Sequence, residues 1–312
     1  MKKITAKHLK KGDTIGIVSV SAPEPALEPE WFERGIHAIQ RYGYKTKLSK
    51  YVQNQVGYLS NKVELLAADV NELFASDDVD AIICAGGGIN ANGLLRHLDY
   101  DIITANPKIL LGVSNPSVIL NAIYARCGLI TFHGPAVVWN FGNPDGLTNY
   151  TETHLIEMLT KQNETVNFQA KSKWKWFREG NATGRLLGGN LISIQALLGT
   201  NYIPDWKNSI FFWEDIGKSM DRIEMMLTHF KDTGVFEMIS GMVVGELVNC
   251  KSNSPEIDLF NVLEDIIGEY SFPVLCNVDL GHTDDKITLP IGCQAELNSS
   301  RNEFKTVESA VN

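Results

Sequence analysis

The chain has 312 residues, 44% hydrophobic and 21% charged, which is enough for two domains or one large α/β unit with a substantial core. A net charge of −9 with no compensating basic run argues against a nucleic-acid partner, because phosphate binding needs clustered Lys and Arg. No apolar core follows the N-terminal lysines and no segment approaches the ~18 apolar residues of a membrane span, so a cytoplasmic protein without a membrane partner is expected.

In chain order, residues 12–20 read as a buried strand that Ser21-Ala22-Pro23 breaks. A helix carrying Trp31, Phe32, Ile36 and Ile39 follows, and Tyr44 to Leu48 suggests a second strand. Residues 61–75 have helical spacing, and Ala81 to Ala85 is a third strand running into Gly86-Gly87-Gly88. Ile109 to Gly112 and Leu129 to Phe132 are a fourth and a fifth. Short strands alternating with helices predict a mostly parallel, doubly wound sheet, in which ligands sit at the carboxyl ends of strands. From about 140 to 180 the pattern loosens. Beyond it come a strand at Ile210 to Trp213, a helix over 219–231, apolar strands at Met242 to Leu247 and Val274 to Val278, and a β-like tail from Ile287. The expected organisation is a Rossmann-like part over 1–160, a linker over 161–182, and a mixed α/β part over 183–312.

The five cysteines (Cys84, Cys127, Cys250, Cys276, Cys293) are odd in number and lack CxxC spacing. That usage suits reduced thiols and offers no metal site. Cys84 and Cys276 lie in apolar strand-like runs and read as buried fillers.

The segment Leu110-Leu111-Gly112-Val113-Ser114-Asn115-Pro116 carries the most chemistry: an apolar run ends in Gly-x-Ser and a helical pattern follows at once. A serine at such a turn can expose its hydroxyl as a nucleophile near free backbone N–H groups, or it can simply cap the helix. The second glycine of G-x-S-x-G is replaced by Pro116, which disfavours a standard α/β-hydrolase. The Gly86–Gly88 run fits either a phosphate cradle, though G-x-G-x-x-G does not match, or oxyanion donors that approach a substrate carbonyl closely. His282 stands in a polar loop as a candidate general base, with His133 as its best competitor. Glu214 ends an apolar strand, where a carboxylate can orient an imidazole; Asp215 is the adjacent alternative, and strand alternation lets one of the two face the site.

Taken together, these segments resemble the LD-carboxypeptidase family of serine peptidases, which includes the microcin C immunity peptidases. The likeness runs nearly end to end. It comprises Gly12-Asp13-Thr14-Ile15 with Ser21-Ala22-Pro23, the glycine segment Gly87 to Leu95, Gly112-Val113-Ser114, Thr131 to Pro135, Gly184 to Leu191, Phe212-Trp213-Glu214-Asp215, and Gly281-His282 to Gly292. The Asn90-Ala91-Asn92 form of the glycine segment is closer to the microcin-immunity branch.

The resemblance implies a Ser–His–Glu triad with Ser114 as nucleophile, His282 as base and Glu214 as the acid that orients it. The backbone N–H groups of Gly87 and Asn115 would be the oxyanion donors. It also implies a homodimer that needs no cofactor and acts on an L,D-muropeptide or a peptidyl or aminoacyl nucleotide of microcin C type. One departure is Asn115, where the family usually has Asp. Trp174 and Trp176 fall where microcin-immunity-type members carry an aromatic that stacks on a nucleobase; packing between domains is their other reading. The expected function is hydrolysis of an amide near the end of a short peptide. The alternatives are a non-catalytic small-molecule or peptide-binding protein on the same scaffold, and a nucleotide-dependent enzyme using the triple glycine.

Overall fold

The computed structural model describes residues 2–162, 164–254 and 256–312. Its first half runs β1 (Thr14–Val18), α1 (Glu24–Leu27), α2 (Pro29–Arg41), β2 (Lys45–Leu48), α3 (Val63–Ala75), β3 (Ala81–Cys84), α4 (Tyr100–Ala105), β4 (Ile109–Gly112), α5 (Ser117–Cys127), β5 (Thr131–His133) and α6 (Asn149–Thr160). Strands β1, β3 and β4 are dominated by Ile, Leu and Val and are almost wholly buried, as parallel strands covered on both faces must be. Helix α2 buries Phe32, Gly35, Ala38 and Ile39 along one side, the period-3.6 stripe legible in its sequence.

The second half adds β6 (Asn167–Phe168), β7 (Lys175–Arg178), β8 (Asn181–Asn190), α7 (Leu191–Gln195), β9 (Ser209–Ile216), α8 (Met220–Asp232), β10 (Gly241–Val248), α9 (Leu259–Ile267), β11 (Val274–Val278), β12 (Leu289–Ile291), β13 (Gln294–Asn298) and β14 (Glu303–Thr306). Two sheets result. The first has the order β12-β5-β4-β3-β1-β2, parallel except for β12, and the second β6-β14-β13-β8-β9-β10-β11-β7, with β8 to β11 parallel at its centre. The fold is therefore α/β: a Rossmann-like, mostly parallel sheet beside a mixed one.

Two features organise the site. In the first sheet the chain leaves β1 for the edge strand β2 and returns on the other side of β1 to form β3, so a crevice opens at the carboxyl ends of β1 and β3. In addition, β12 leaves the C-terminal part and pairs antiparallel with β5, Leu289 opposite His133, which fastens the two sheets together. Residues 161–182, expected as a linker, contribute β6, β7 and the first residues of β8 to the second sheet. No helix among the described residues is long and apolar enough to cross a membrane.

Candidate active site

At the end of β4 the backbone turns sharply. Ser114 adopts φ +66°, a left-handed conformation that costs a non-glycine residue on the order of 1–3 kcal/mol unless its surroundings hold it. They do. The carbonyls of Ser114, Asn115 and Pro116 accept the N–H groups of Ser117 (2.9 Å), Val118 (3.1 Å) and Leu120 (3.0 Å), so the turn runs directly into α5. Asn115 N–H has no partner among the described residues and remains available to a ligand. The β3 loop presses against this turn: a Cβ on Gly87 would lie 2.8 Å from both Cβ and Oγ of Ser114. Glycine is needed there by proximity alone.

The side chain of Asn115 ties three loops together. Its Oδ1 accepts Ser21 O–H (2.9 Å) and Ala91 N–H (2.7 Å), while Nδ2 donates to Ser193 Oγ at 3.3 Å. Ser193 donates in turn to Asn190 Oδ1 at 2.6 Å, and the Asn190 side chain helps to hold the Glu214 carboxyl down.

From the second sheet, Glu214 reaches the same region, wholly buried near the end of β9 and in register with Asn190 of β8. His282 Nδ1 and Glu214 Oε2 are 2.6 Å apart, an arrangement in which the carboxylate fixes the ring hydrogen on Nδ1 and leaves Nε2 as a base. Burial alone would raise the Glu214 carboxyl, but the charge and hydrogen bond of His282, with His133 and Asn190 behind, outweigh it and hold it below the ordinary value. Gly281 makes the contact sterically possible: it has φ +96°, and a Cβ there would meet Glu214 Cγ at 2.4 Å. Asp215 points the other way, accepting Ile192 N–H (2.9 Å) at the start of α7 and Ile216 N–H (2.8 Å). His133 lies buried behind Glu214, its Nε2 3.9 Å from Oε1, and burial pushes its imidazole down to about 4.

Ser114 and His282 face a common cavity of about 450 Å³, which Gly87, Glu24, Trp31, Trp139 and Lys286 also line. No hydrogen bond joins Ser114 to His282 among the described residues. Unliganded sites often show such loose geometry and tighten around substrate. Glu24 occupies one wall: its Oε2 accepts Gly87 N–H at 3.1 Å, and Trp139 lines the same wall beside it. Burial raises its carboxyl above the ordinary range despite this bond and the nearby His282. The rings of Trp31 and Trp139 meet at 5.3 Å, tilted by 56°, and Trp139 is 44% exposed.

Residues 15–134 match the family model described as the LD-carboxypeptidase N-terminal domain, and residues 183–297 match the C-terminal domain. The chain belongs to the LD-carboxypeptidase family. This peptidase is 32% identical to the microcin C7 self-immunity protein MccF of Escherichia coli over 98% of its own length and 96% of that protein's. It is also 32% identical to a probable murein peptide carboxypeptidase of Bacillus subtilis, over 94% and 91% of the two chains. Among solved structures, MccF in complex with aspartyl sulfamoyl adenosine superposes with a TM-score of 0.95 at 30% identity, covering 99% of this chain and 100% of that one. The muramoyltetrapeptide carboxypeptidase from Oxalobacter formigenes superposes at 0.83 with 25% identity, over 96% and 99%.

The fold thus brings Ser114, Gly87, Asn115, Glu214 and His282, all singled out in the sequence, into one region. Trp174 and Trp176 lie elsewhere in the chain: Trp174 Nε1 donates to Asp279 (2.7 Å) and Trp176 Nε1 to Asn302 (2.9 Å), and neither lines the cavity of Ser114. The aromatic pair that does line it, Trp31 and Trp139, escaped sequence reasoning because Trp31 sits in a helical apolar stripe. Glu24 and Lys286 escaped it as single charged residues in loops or short helices. The Ser21-Ala22-Pro23 break was the available signal for Glu24, since it ends the first strand at the ligand-binding edge of the sheet.

Proposed function

We propose that this LD-carboxypeptidase hydrolyses an amide near the end of a short substrate through Ser114, His282 and Glu214. Ser114 Oγ attacks the carbonyl carbon and its proton passes to His282 Nε2, while Glu214 stabilises the resulting imidazolium. The carbonyl oxygen, now negative, is held by the N–H groups of Asn115 and Gly87. Collapse of the tetrahedral species breaks the C–N bond, and His282 returns the proton to the departing nitrogen. Water, deprotonated by the same imidazole, then releases the acyl group from Ser114.

The observation that carries this reading is the 2.6 Å contact between His282 Nδ1 and Glu214 Oε2, beside a cavity that Ser114 enters from a turn at φ +66°. The substrate class favoured is an aminoacyl or peptidyl nucleotide of microcin C type. Trp139, half-exposed in the cavity wall, offers a flat surface for a base, and the MccF likeness runs over the whole chain. An L,D-muropeptide is the second reading, supported by the likeness to the murein peptide carboxypeptidase. The proposed setting is a cytoplasmic homodimer with the nucleophile carried by residues 1–160 and the Glu and His by 183–312.

Incubation with a tetrapeptide muropeptide and with a microcin-C-like aminoacyl nucleotide, followed by mass spectrometry, tests the proposal. Cleavage of either should vanish in Ser114→Ala while the protein stays folded. Retained hydrolysis by that variant would refute the assignment, and labelling of Ser114 by a fluorophosphonate would support it independently.

A further inference from the structure

Lys286 has the environment of a ligand-binding cation. It is 2% exposed, lines the cavity shared by Ser114 and His282, and its ammonium makes no hydrogen bond or ion pair with any described residue. Glu214 and Asp284 attract it from beyond ion-pair distance, and burial pulls its pKa down to about 8. Placing an ammonium in such a site without an anion costs several kcal/mol, and packing alone would be served better by an apolar chain of the same length. The backbone around it is nevertheless fixed. Lys286 N–H donates to Thr151 Oγ1 at 2.9 Å, and Thr151 O–H donates to the Asp284 carbonyl at 2.8 Å. Among the described residues lining the cavity, Lys286 is the one lysine or arginine.

We propose that Lys286 holds the negatively charged group of the leaving half of the substrate. The inference rests on the reaction proposed above and names a requirement of its substrate. His282, which protonates the departing nitrogen, lies four residues before Lys286 on the same loop, whereas the oxyanion donors belong to the β3 and β4 turns. This shared loop is the reason for placing the ammonium on the side from which the leaving group departs. Both candidate leaving groups carry an anion there: an amino acid has its terminal carboxylate, and a nucleotide has its phosphate. An ammonium offers three donors to either, and such charge-assisted bonds are stronger than neutral ones.

The test measures binding by calorimetry to the Ser114→Ala protein, so that it does not depend on turnover. One pair of probes is an L,D-tetrapeptide with a free C-terminal carboxylate and its C-terminal amide; the other is adenosine monophosphate and adenosine. The charged member of at least one pair should bind about tenfold tighter or more. That gap should close in Ser114→Ala/Lys286→Met and survive in part in Ser114→Ala/Lys286→Arg. The pair that shows the gap identifies the source of the anion. Equal affinities within both pairs, no binding by any probe, or a gap untouched by Lys286→Met overturns the proposal. If Lys286→Met fails to fold, the same gap is read from Lys286→Gln. Should the charged probes bind as expected while the wild-type enzyme hydrolyses neither substrate class, the reaction proposed above fails and the anion site stands.

Discussion

Asn115 donates through Nδ2 to Ser193 Oγ, and this bond sets the direction of a relay that continues to Asn190, the register partner of Glu214. Because Ser193 receives a hydrogen from Asn115, its own hydrogen is free for Asn190 Oδ1, which leaves the Asn190 amide to face the buried carboxylate. An aspartate at 115 would have no hydrogen to give and would compete with Asn190 for the Ser193 hydroxyl. Asn115→Asp should therefore leave one buried acceptor without its donor, at a cost of about 1–3 kcal/mol. Urea denaturation at pH 7 measures that loss, and kcat/KM should fall with it. An unchanged midpoint would show that the relay tolerates either polarity.

Glu24 stands where the reaction needs an empty donor. Its carboxylate takes the Gly87 N–H at 3.1 Å, the group assigned to the oxyanion, so a substrate carbonyl must displace it. Glu24→Ala removes that competitor and should raise kcat/KM by roughly threefold to tenfold, the worth of one modest hydrogen bond. Glu24→Gln keeps the geometry without the charge and should fall between the two. Steady-state kinetics on a cleaved substrate decides, and a loss of activity in Glu24→Ala would show that the carboxylate contacts the substrate instead.

Sequence pattern was sufficient where one physical rule dominates. The β4 strand is legible as Ile109 to Gly112 and occupies those residues, because a four-residue apolar run between polar segments has few other ways to be buried. Period-two alternation separates Glu214 from Asp215, and the two do face opposite ways. Long-range pairing was not legible. Strand β12 reads as part of a β-like tail, but nothing local in Leu289-Pro290-Ile291 says that it crosses to the edge of the first sheet. The strands within 161–182 are short and polar, and their pairing partners, β14 and β11, come about a hundred residues later or more. Glu24 and Lys286 depend on three-dimensional convergence in the same way: a charged residue in sequence looks solvated until the fold buries it.

Gly87 tests the fit of the two turns directly. With 2.8 Å between its would-be Cβ and the Ser114 hydroxyl, Gly87→Ala has to push either the nucleophile or the β3 loop aside. A displacement approaching 1 Å at the nucleophile lowers kcat on the order of a hundredfold, while the buried strands behind it keep the fold. Circular dichroism should remain native as turnover collapses. Activity within threefold of wild type would mean that the loop moves freely and that the close approach has no catalytic consequence.

His133 links the buried site to stability at acid pH. Burial holds its imidazole at about 4 in the folded protein, lower than the Glu214 charge alone would allow, while the unfolded chain takes up a proton near pH 6.5. Between those values the unfolded state binds more protons, so this residue's contribution to stability falls as pH drops from about 6.5 to about 4, and then levels off. At about 1.4 kcal/mol per pKa unit the full loss is about 3.5 kcal/mol. His154, whose imidazole burial also lowers, acts in the same direction, so the informative quantity is the difference between wild type and His133→Gln across that window. The variant should be less stable at pH 7, where a neutral buried imidazole packs edge-on against Phe212, and should lose less on acidification. Urea midpoints at pH 7, 6 and 5 give the comparison. Parallel curves for the two proteins would mean that His133 keeps an ordinary titration in spite of its burial.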